Sequence, residues 1–385
     1  MLASIFSLNV IQTALELGFI YALVALALFL SYSILNIADL STDGCFTLGC
    51  AVACQVALTG HPFLALVAAM AAGVCSGFVT AFLQTRLGVE SIMAGIIVNT
   101  GLYTINLAVM GFSSTLSLVK TDTVFSLAKT ALAFTGGWYK LVLTAAVIAL
   151  ACVGMVGFLG TRLGLSIRAT GDNAAMVRAS SINPAFTITV GLCISGALTA
   201  LSGGLLAQFQ GSSDINMGRG AIVIGLAAVI IGEVIFGKLF TNFGLKLFAV
   251  SIGAVIYYIV LQIVLQLGLN TNDLKLITAL IVAVFIFKVA FDLVRTGLNE
   301  LLERSLPADV EEEILRIVTA DPEVCQPHNL RTRRIGAAIA VEVHVRMDGA
   351  MTVARSHALT VDIERRLRAR FGEGTMIAIH VEPLK

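Results

Sequence analysis

Four of the five histidines, His328, His344, His357 and His380, fall in the C-terminal quarter of the 385-residue chain. Glu382 follows His380 by two positions, so on a strand both side chains project from one face. Imidazole nitrogens with a carboxylate suit zinc or a similar divalent ion. A lone histidine is more often a plain surface group, and four on a small fold can arise by chance. Composition alone leaves both readings open.

A second set of polar residues lies in or beside long apolar runs: Asp39, Asp43, Glu90, Asn99, Asn106, Gln208 and Glu233. Ionisable groups at membrane depth are costly and usually face a cavity, a partner or a solute path. The plainer alternative is hydrogen bonding between helices or a place at a helix end, which suits Asn99 and Asn106 best. For Asp39, Asp43 and Glu233 the two readings are evenly matched. Phe46, Tyr103 and Phe209 could add aromatic surface to a solute path.

The third constellation is the loop 164–184, which holds Arg168, Thr170, Gly171, Asp172, Asn173 and Arg178. Asp172 or Asn173 can cap a short helix over 174–181, whose Ala, Met, Val and Arg residues suit a partner's groove. An ordinary interhelical loop is the competing reading.

The elements that must position these residues follow from composition. The chain is 57% hydrophobic and 13% charged, with a mean hydropathy of +0.93. A soluble domain carries about 25% charged residues. More than half of the Asp, Glu, Lys and Arg residues come after position 288, and that step marks a boundary between 1–288 and 289–385. The net charge of +1 gives no reason to expect nucleic acid as a partner. Six of the seven cysteines (Cys45, Cys50, Cys54, Cys75, Cys152 and Cys193) sit in apolar runs and read as small hydrophobes, and Cys325 has no CxxC partner. The N-terminus carries no basic stretch before its first apolar run and no clear cleavage site, so that run reads as a retained span.

Apolar runs near 8–31, 45–60, 62–85, 89–112, 138–160, 187–208, 219–237, 243–267 and 276–294 predict an all-α polytopic membrane bundle of about nine transmembrane helices. The polar segment 36–44 reads as a loop or a broken helix at membrane depth. Arg162, Arg168 and Arg178 put loop 161–186 in the cytoplasm by the positive-inside tendency, with Arg86, Lys238 and Lys246 on the same side. The tail is then cytoplasmic and the N-terminus outside. In the tail, 308–320 and 352–370 read as amphipathic helices, and 326–333, 337–347 and 375–382 as strands. That order predicts a small α+β domain with its helices on one sheet face.

Two resemblances rest on these stretches. Residues 1–285 resemble the permease subunits of bacterial ABC importers, in the branched-chain amino acid and sugar permease superfamily, and within it those grouped with tryptophan/tyrosine importers. The likeness is carried by Gly18-Phe-Ile-Tyr-Ala-Leu, Ile37-Ala-Asp-Leu-Ser-Thr-Asp-Gly44, Arg168-Ala-Thr-Gly-Asp-Asn173, Ala207-Gln-Phe-Gln-Gly211 and Ile222-Val-Ile-Gly-Leu-Ala-Ala-Val-Ile-Ile-Gly-Glu233. It implies that 166–184 docks on a separate ATPase subunit through Arg168, Thr170, Gly171, Asp172, Asn173 and Arg178. It also implies an extracytoplasmic substrate-binding protein, a homodimer in a bacterial inner membrane, and a solute path using Asp39, Asp43, Phe46, Gln208 and Glu233. No GxxxxGK[ST] phosphate loop occurs, so the chain is expected to bind no nucleotide and to be a transporter subunit, not an enzyme.

Residues from about 284 to 385 resemble the cytoplasmic domain of cation diffusion facilitators, through Leu302-Glu-Arg-Ser-Leu-Pro307, His328-Asn-Leu-Arg-Thr-Arg333, His344, His357 and Ile379-His-Val-Glu-Pro383. The resemblance implies a dimerising ferredoxin-like module in which His328, His344, His357, His380 and Glu382 bind a divalent metal, zinc foremost. Glu382 and Asn329 stand where that family commonly has Asp. The two likenesses conflict as whole-protein assignments. A metal exporter needs an Asp/His site within its spans, and His61 is the sole histidine of residues 1–285. A fusion is the favoured reading: an importer permease with a metal-binding, dimerising tail, two parts whose two-fold axes are compatible with one another. The alternatives are a divalent-metal transporter, or a tail that only oligomerises.

Overall fold

The computed structural model describes residues 8–131, 137–237, 242–266, 305–335 and 338–384, together with isolated positions between 280 and 294. The chain divides into two compact units, Met1–Phe285 and Ile286–Lys385.

Long apolar runs become helices in the first unit because only an internally bonded backbone is tolerated in hydrocarbon. In chain order these are α1 (Leu8–Leu28, prolonged by a π-helical turn, Phe29–Ile34), α2 (Thr42–Ala57), α3 (Pro62–Thr85) and α4 (Ser91–Val109). Then come β1 (Thr115–Ser117), α5 (Val124–Ala131), α6 (Tyr139–Leu159), α7 (Arg162–Asp172), α8 (Ala174–Ala179) and α9 (Pro184–Gln210). β2 (Ser212–Asp214), α10 (Ala221–Phe236) and α11 (Phe243–Gln266) complete the described part. Six of these helices, α1 with its π turn, α3, α4, α6, α9 and α11, are long and apolar enough to cross a membrane.

Two expected spans, 45–60 and 219–237, are instead 16-residue helices, α2 and α10. At about 24 Å each, they fall short of a hydrocarbon core of about 30 Å. The ninth expected span, 276–294, lies outside the described residues save for isolated positions. The expected loop 161–186 is itself largely helical, because Thr161 and Asn173 cap α7 and α8 in turn.

The bundle is packed through small residues. A Cβ on Gly73 would fall on the carbonyl oxygen of Gly196, one on Gly49 on that of Ala200, and one on Gly203 on that of Phe46. Backbones therefore meet directly along α9, where lipid offers no hydrophobic drive for association. Hydroxyls then bond across the gaps: Ser195 Oγ donates to Ala27 O at 3.0 Å and Ser202 Oγ to Ile20 O at 2.7 Å.

The two short helices begin inside the bundle. Asp43, in the first turn of α2, accepts from Gly220 N at 3.0 Å and Ile222 N at 2.9 Å, where α10 starts. Gly220 at φ +90° ends the incoming loop, and Gly218 N donates to Thr47 Oγ1 at 3.1 Å. The helical rise from Ile222 to Glu233, near the other end of α10, is about 16 Å, roughly half the hydrocarbon thickness. Both chain interruptions therefore meet well away from the Glu233 end of the bundle, and Asp43 serves as the N-terminal partner of α10.

The second unit contains α12 (Ala308–Val318), β3 (Cys325–Ile335), β4 (Ala338–Met347), α13 (Val353–Phe371) and β5 (Met376–Pro383). The sheet order is β3-β4-β5, with β3 antiparallel and β5 parallel to β4, so β4–α13–β5 is a βαβ crossover. Val341, Val343 and Val345 pack with Ile314, Val318, Leu359, Ile363 and Leu367 on the helix-covered face. Strand alternation then sends Glu342, His344 and Arg346 to the other face.

Gly73→Leu is expected to destabilise the bundle by on the order of 3 kcal/mol or more, because backbone occupies the space its side chain needs. Gly101→Leu, where a Cβ meets nothing within 4 Å, is its control. Thermal melting in detergent should separate the two variants. Equal melting temperatures would contradict this packing.

Candidate functional sites

The open sheet face of the second unit gathers one donor from each strand. His328 lies opposite His344 in the β3–β4 register, and Arg346 lies opposite Glu382 in the β4–β5 register. The His328–His344 pairing requires irregularities in β3, where Gln326 and Asn329 adopt φ +44° and +52°. Glu382 sits between the two rings, with Oε2 3.4 Å from His328 Nε2 and Oε1 3.3 Å from His344 Nδ1. His328 Nδ1 lies 3.0 Å from the Gln326 carbonyl, which orients its ring. Ligand atoms of His328, His344 and Glu382 all lie within 4.8 Å of one another. Tetrahedral zinc with bonds near 2.0–2.2 Å spaces its ligand atoms on the order of 3.4 Å apart. The observed spacings fit two imidazoles and a carboxylate around one ion.

His380 is next to this trio, its ring 4.7 Å from that of His344. His357 is not part of it within one chain. It is exposed on α13, the helix that covers the opposite sheet face through Leu359 and Ile363. Arg346 was not singled out from the sequence, although its position two after His344 puts it on the same face. Its Nε is 3.6 Å from Glu382 Oε2, and its Nη1 donates to Gln326 Oε1 at 2.8 Å. The hydrogen bond with His344, together with the nearby His328 and Arg346, holds the Glu382 carboxyl below the ordinary glutamate value.

In the bundle, most of the expected solute-path residues have structural partners. Asp39 is buried and accepts from Ser41 N at 2.9 Å and Ser41 Oγ at 2.6 Å. Asp43 caps α10. Phe46 is fully buried and stacks on Tyr21 with ring centroids 5.5 Å apart. Gln208 accepts from Val124 N at 2.7 Å and donates to Pro62 O at 3.0 Å, tying α5 and α3 to α9. Glu233 differs: its Oε1 accepts from Ser33 Oγ at 3.3 Å, and it lines an open cavity of about 200 Å³.

The α7–α8 segment is anchored on one side and exposed on the other. Thr170 Oγ1 lies 2.8 Å from Thr187 Oγ1, and Gly171 packs so closely on the Ile34 carbonyl that no side chain fits. Asn173 Oδ1 accepts from Met176 N at 3.0 Å and starts α8, where Met176 and Arg178 are exposed. Arg168 rests 4.2 Å above the Phe243 ring, and both Arg168 and Asp172 line the cavity that Glu233 lines. Lys246, a mark of sidedness in the sequence, completes the same cavity wall.

Comparison with known proteins separates the two units. Residues 10–287 match the family described as branched-chain amino acid transport system, permease component. Residues 306–384 match the cytoplasmic domain of cation efflux proteins. A tyrosine transport system permease protein of Clostridioides difficile (strain R20291) is 35% identical over 268 residues, covering 69% of this chain and 87% of the relative. The protein RP368 of Rickettsia prowazekii (strain Madrid E) is 33% identical over 294 residues, 73% of this chain and 98% of its own length. The cation-efflux pump FieF of Shewanella oneidensis is 33% identical over 107 residues, which are 28% of this chain and 36% of the pump.

The lowered Glu382 value carries a pH signature. A depressed carboxyl contributes stability above its unfolded pKa of about 4.3, and that contribution is lost as pH falls through the lower folded value. Carbon-detected NMR of the labelled Glu382 carboxyl should place its titration below that of an ordinary glutamate, and His344→Ala should move it back up. An unchanged titration in the variant would remove His344 as the cause.

Proposed function

The chain belongs to the branched-chain amino acid transport system permease family, and from that premise we propose that it is the membrane subunit of an ATP-driven importer of an amino acid. In this reading residues 1–288 are the permease domain and 289–385 a cytoplasmic domain that dimerises and binds a divalent metal. The observation that carries it is the family match over 10–287 together with a short exposed helix, α8, at the end of the bundle. The similarity to a tyrosine transport permease favours an aromatic amino acid as the solute.

ATP hydrolysis belongs to a separate subunit, because the chain has no phosphate-binding loop. Met176 and Arg178 of α8 are the contact surface for that subunit, and Asn173 fixes where the helix begins. The tight packing of Gly171 on Ile34 and the Thr170–Thr187 bond pass displacement of α8 to α1 and α9. Arg86, Arg162, Arg168, Arg178 and Lys246 support, by the positive-inside tendency, a cytoplasmic side for this end in a bacterial inner membrane. An extracytoplasmic binding protein delivers solute to the opposite end, and two copies of the chain pair to enclose the path.

In the tail, His328, His344 and Glu382 would hold the ion, with His380 beside them and zinc favoured by the donor set. A bound ion supplies a positive charge that cross-links all three strands. Arg346 opposes it, since its guanidinium lies against the same carboxylate. A tail that only oligomerises is the second reading, favoured by the way Glu382 is already satisfied by His344, His328 and Arg346.

Two experiments test this. Affinity purification from the native host in mild detergent should recover an ATPase and a binding protein, and Met176→Glu with Arg178→Glu should lose the ATPase. Recovery of a bare homodimer under conditions that preserve such complexes would count against an importer. Calorimetry of the full chain with Zn²⁺ should show binding that weakens at least about tenfold in His344→Ala and strengthens in Arg346→Gln, where a neighbouring cation is removed. Heat changes identical in all three proteins would leave the tail as an oligomerisation module.

A further inference from the structure

The cavity of about 200 Å³ that Glu233 lines is formed by four separate elements. The π-helical turn of α1 contributes Phe29 and Ser33, and α7 contributes Arg168 and Asp172. Glu233 comes from the end of α10, and Phe243 and Lys246 from the start of α11. Its walls thus carry two cations and two carboxylates. Each side of the charge balance is oriented: Ser33 Oγ donates to Glu233, and the Arg168 guanidinium is held over Phe243. Yet none of the four charged groups forms a direct ion pair with another at 4.0 Å or less. Space is left between opposite charges that face a common volume.

We infer that this cavity is a binding site for a free zwitterionic α-amino acid on the α7 side of the permease. The charges select the class. An anion alone would satisfy Arg168 and Lys246 and leave Glu233 and Asp172 opposed to it, and a cation alone would do the reverse. A ligand with one carboxylate and one ammonium a few bonds apart answers both pairs and adds no net charge. The volume lies below the 300–1,000 Å³ typical of drug-sized ligands and suits one amino acid. Phe29, buried, and Phe243, half-buried, with ring centroids 6.3 Å apart, form the apolar part of the cavity wall. The widened turn is itself informative, because π turns inside helices are frequent at functional sites.

The inference rests on the importer reading for its direction. It assigns Arg168 and Asp172 to solute and leaves Met176 and Arg178 to the ATPase. A bound amino acid bridges α10 and α11 to α7, the helix directly joined to α8. The site is therefore placed to report the concentration of imported solute to the transport cycle.

The test is equilibrium binding of labelled L-tyrosine to the purified full chain in nanodiscs, with no ATPase or binding protein present. The competitors are L-leucine, tyramine, which lacks the carboxylate, and 3-(4-hydroxyphenyl)propionate, which lacks the ammonium. The inference expects saturable binding, each single-charge analogue weaker by about tenfold or more, and a similar loss in Glu233→Gln and in Arg168→Gln. No saturable binding of either amino acid at millimolar concentration would overturn it. So would equal binding of the single-charge analogues to the unaltered protein, a comparison independent of whether any variant folds. Co-purification of the ATPase with no amino acid binding would sink this site and leave the importer reading standing. Amino acid binding without a recoverable ATPase would do the opposite.

Discussion

The Asp43 carboxylate answers the hardest constraint on this bundle, that a chain interrupted inside a membrane must still satisfy its backbone. α10 begins within the bundle, with first-turn N–H groups that have no intrahelical partner. Asp43 accepts two of the N–H groups at that start, Gly220 N and Ile222 N, and does so from the first turn of α2, the other helix that begins inside. One side chain therefore fixes two helices relative to each other. Asn106 adds to the junction by donating Nδ2 to the Gly44 carbonyl at 3.1 Å. With this junction closed, α10 is aimed so that Glu233 reaches Ser33 at the far end.

That aim links the interior to the end of the bundle that carries α7 and α8. The wide turn of α1 places the Ile34 carbonyl against Gly171, where only glycine fits. Thr170 and Thr187 join α7 to α9, and α9 packs backbone to backbone against α2 and α3. These contacts are short and mostly between main chains, so they transmit displacement with little slack. A permease driven by an external ATPase requires this property. The second unit obeys a different rule, since it folds around its own valine-rich sheet face and leaves the opposite face to polar groups.

Hydropathy made six of the spans legible to within a few residues, because lipid leaves the backbone so few options, but it also took the short α2 and α10 for spans, since apolar composition does not register length. Alternation likewise revealed the tail strands and put His344, His380 and Glu382 where their pairing can be foreseen. His328 was harder to place, since its approach depends on the positive-φ kinks at Gln326 and Asn329, which neither residue type demands. For Asp43 a bond between helices stood level with a solute-path role, but its partners could not be named, for they lie 177 and 179 positions away. Phe46 shows the limit of composition: an amino acid path calls for aromatic surface that Phe46 could supply, but it is stacked in the core against Tyr21. His357 shows the limit of motif transfer, as one chain holds it on the helix-covered side of the sheet. Lys246 was counted only as a marker of sidedness, though geometry brings it to the wall that Glu233 and Arg168 share.

In the proposed reading the bundle moves an amino acid inward, and a metal held by the tail would not be the cargo. Flux measured in native-host membrane vesicles, with labelled L-tyrosine and ⁶⁵Zn²⁺ compared in strains with and without the chain, tests it most directly. The account predicts ATP-dependent tyrosine uptake that disappears with the chain, and zinc movement that does not change. Zinc flux that follows the chain while tyrosine uptake is indifferent to it would contradict the account.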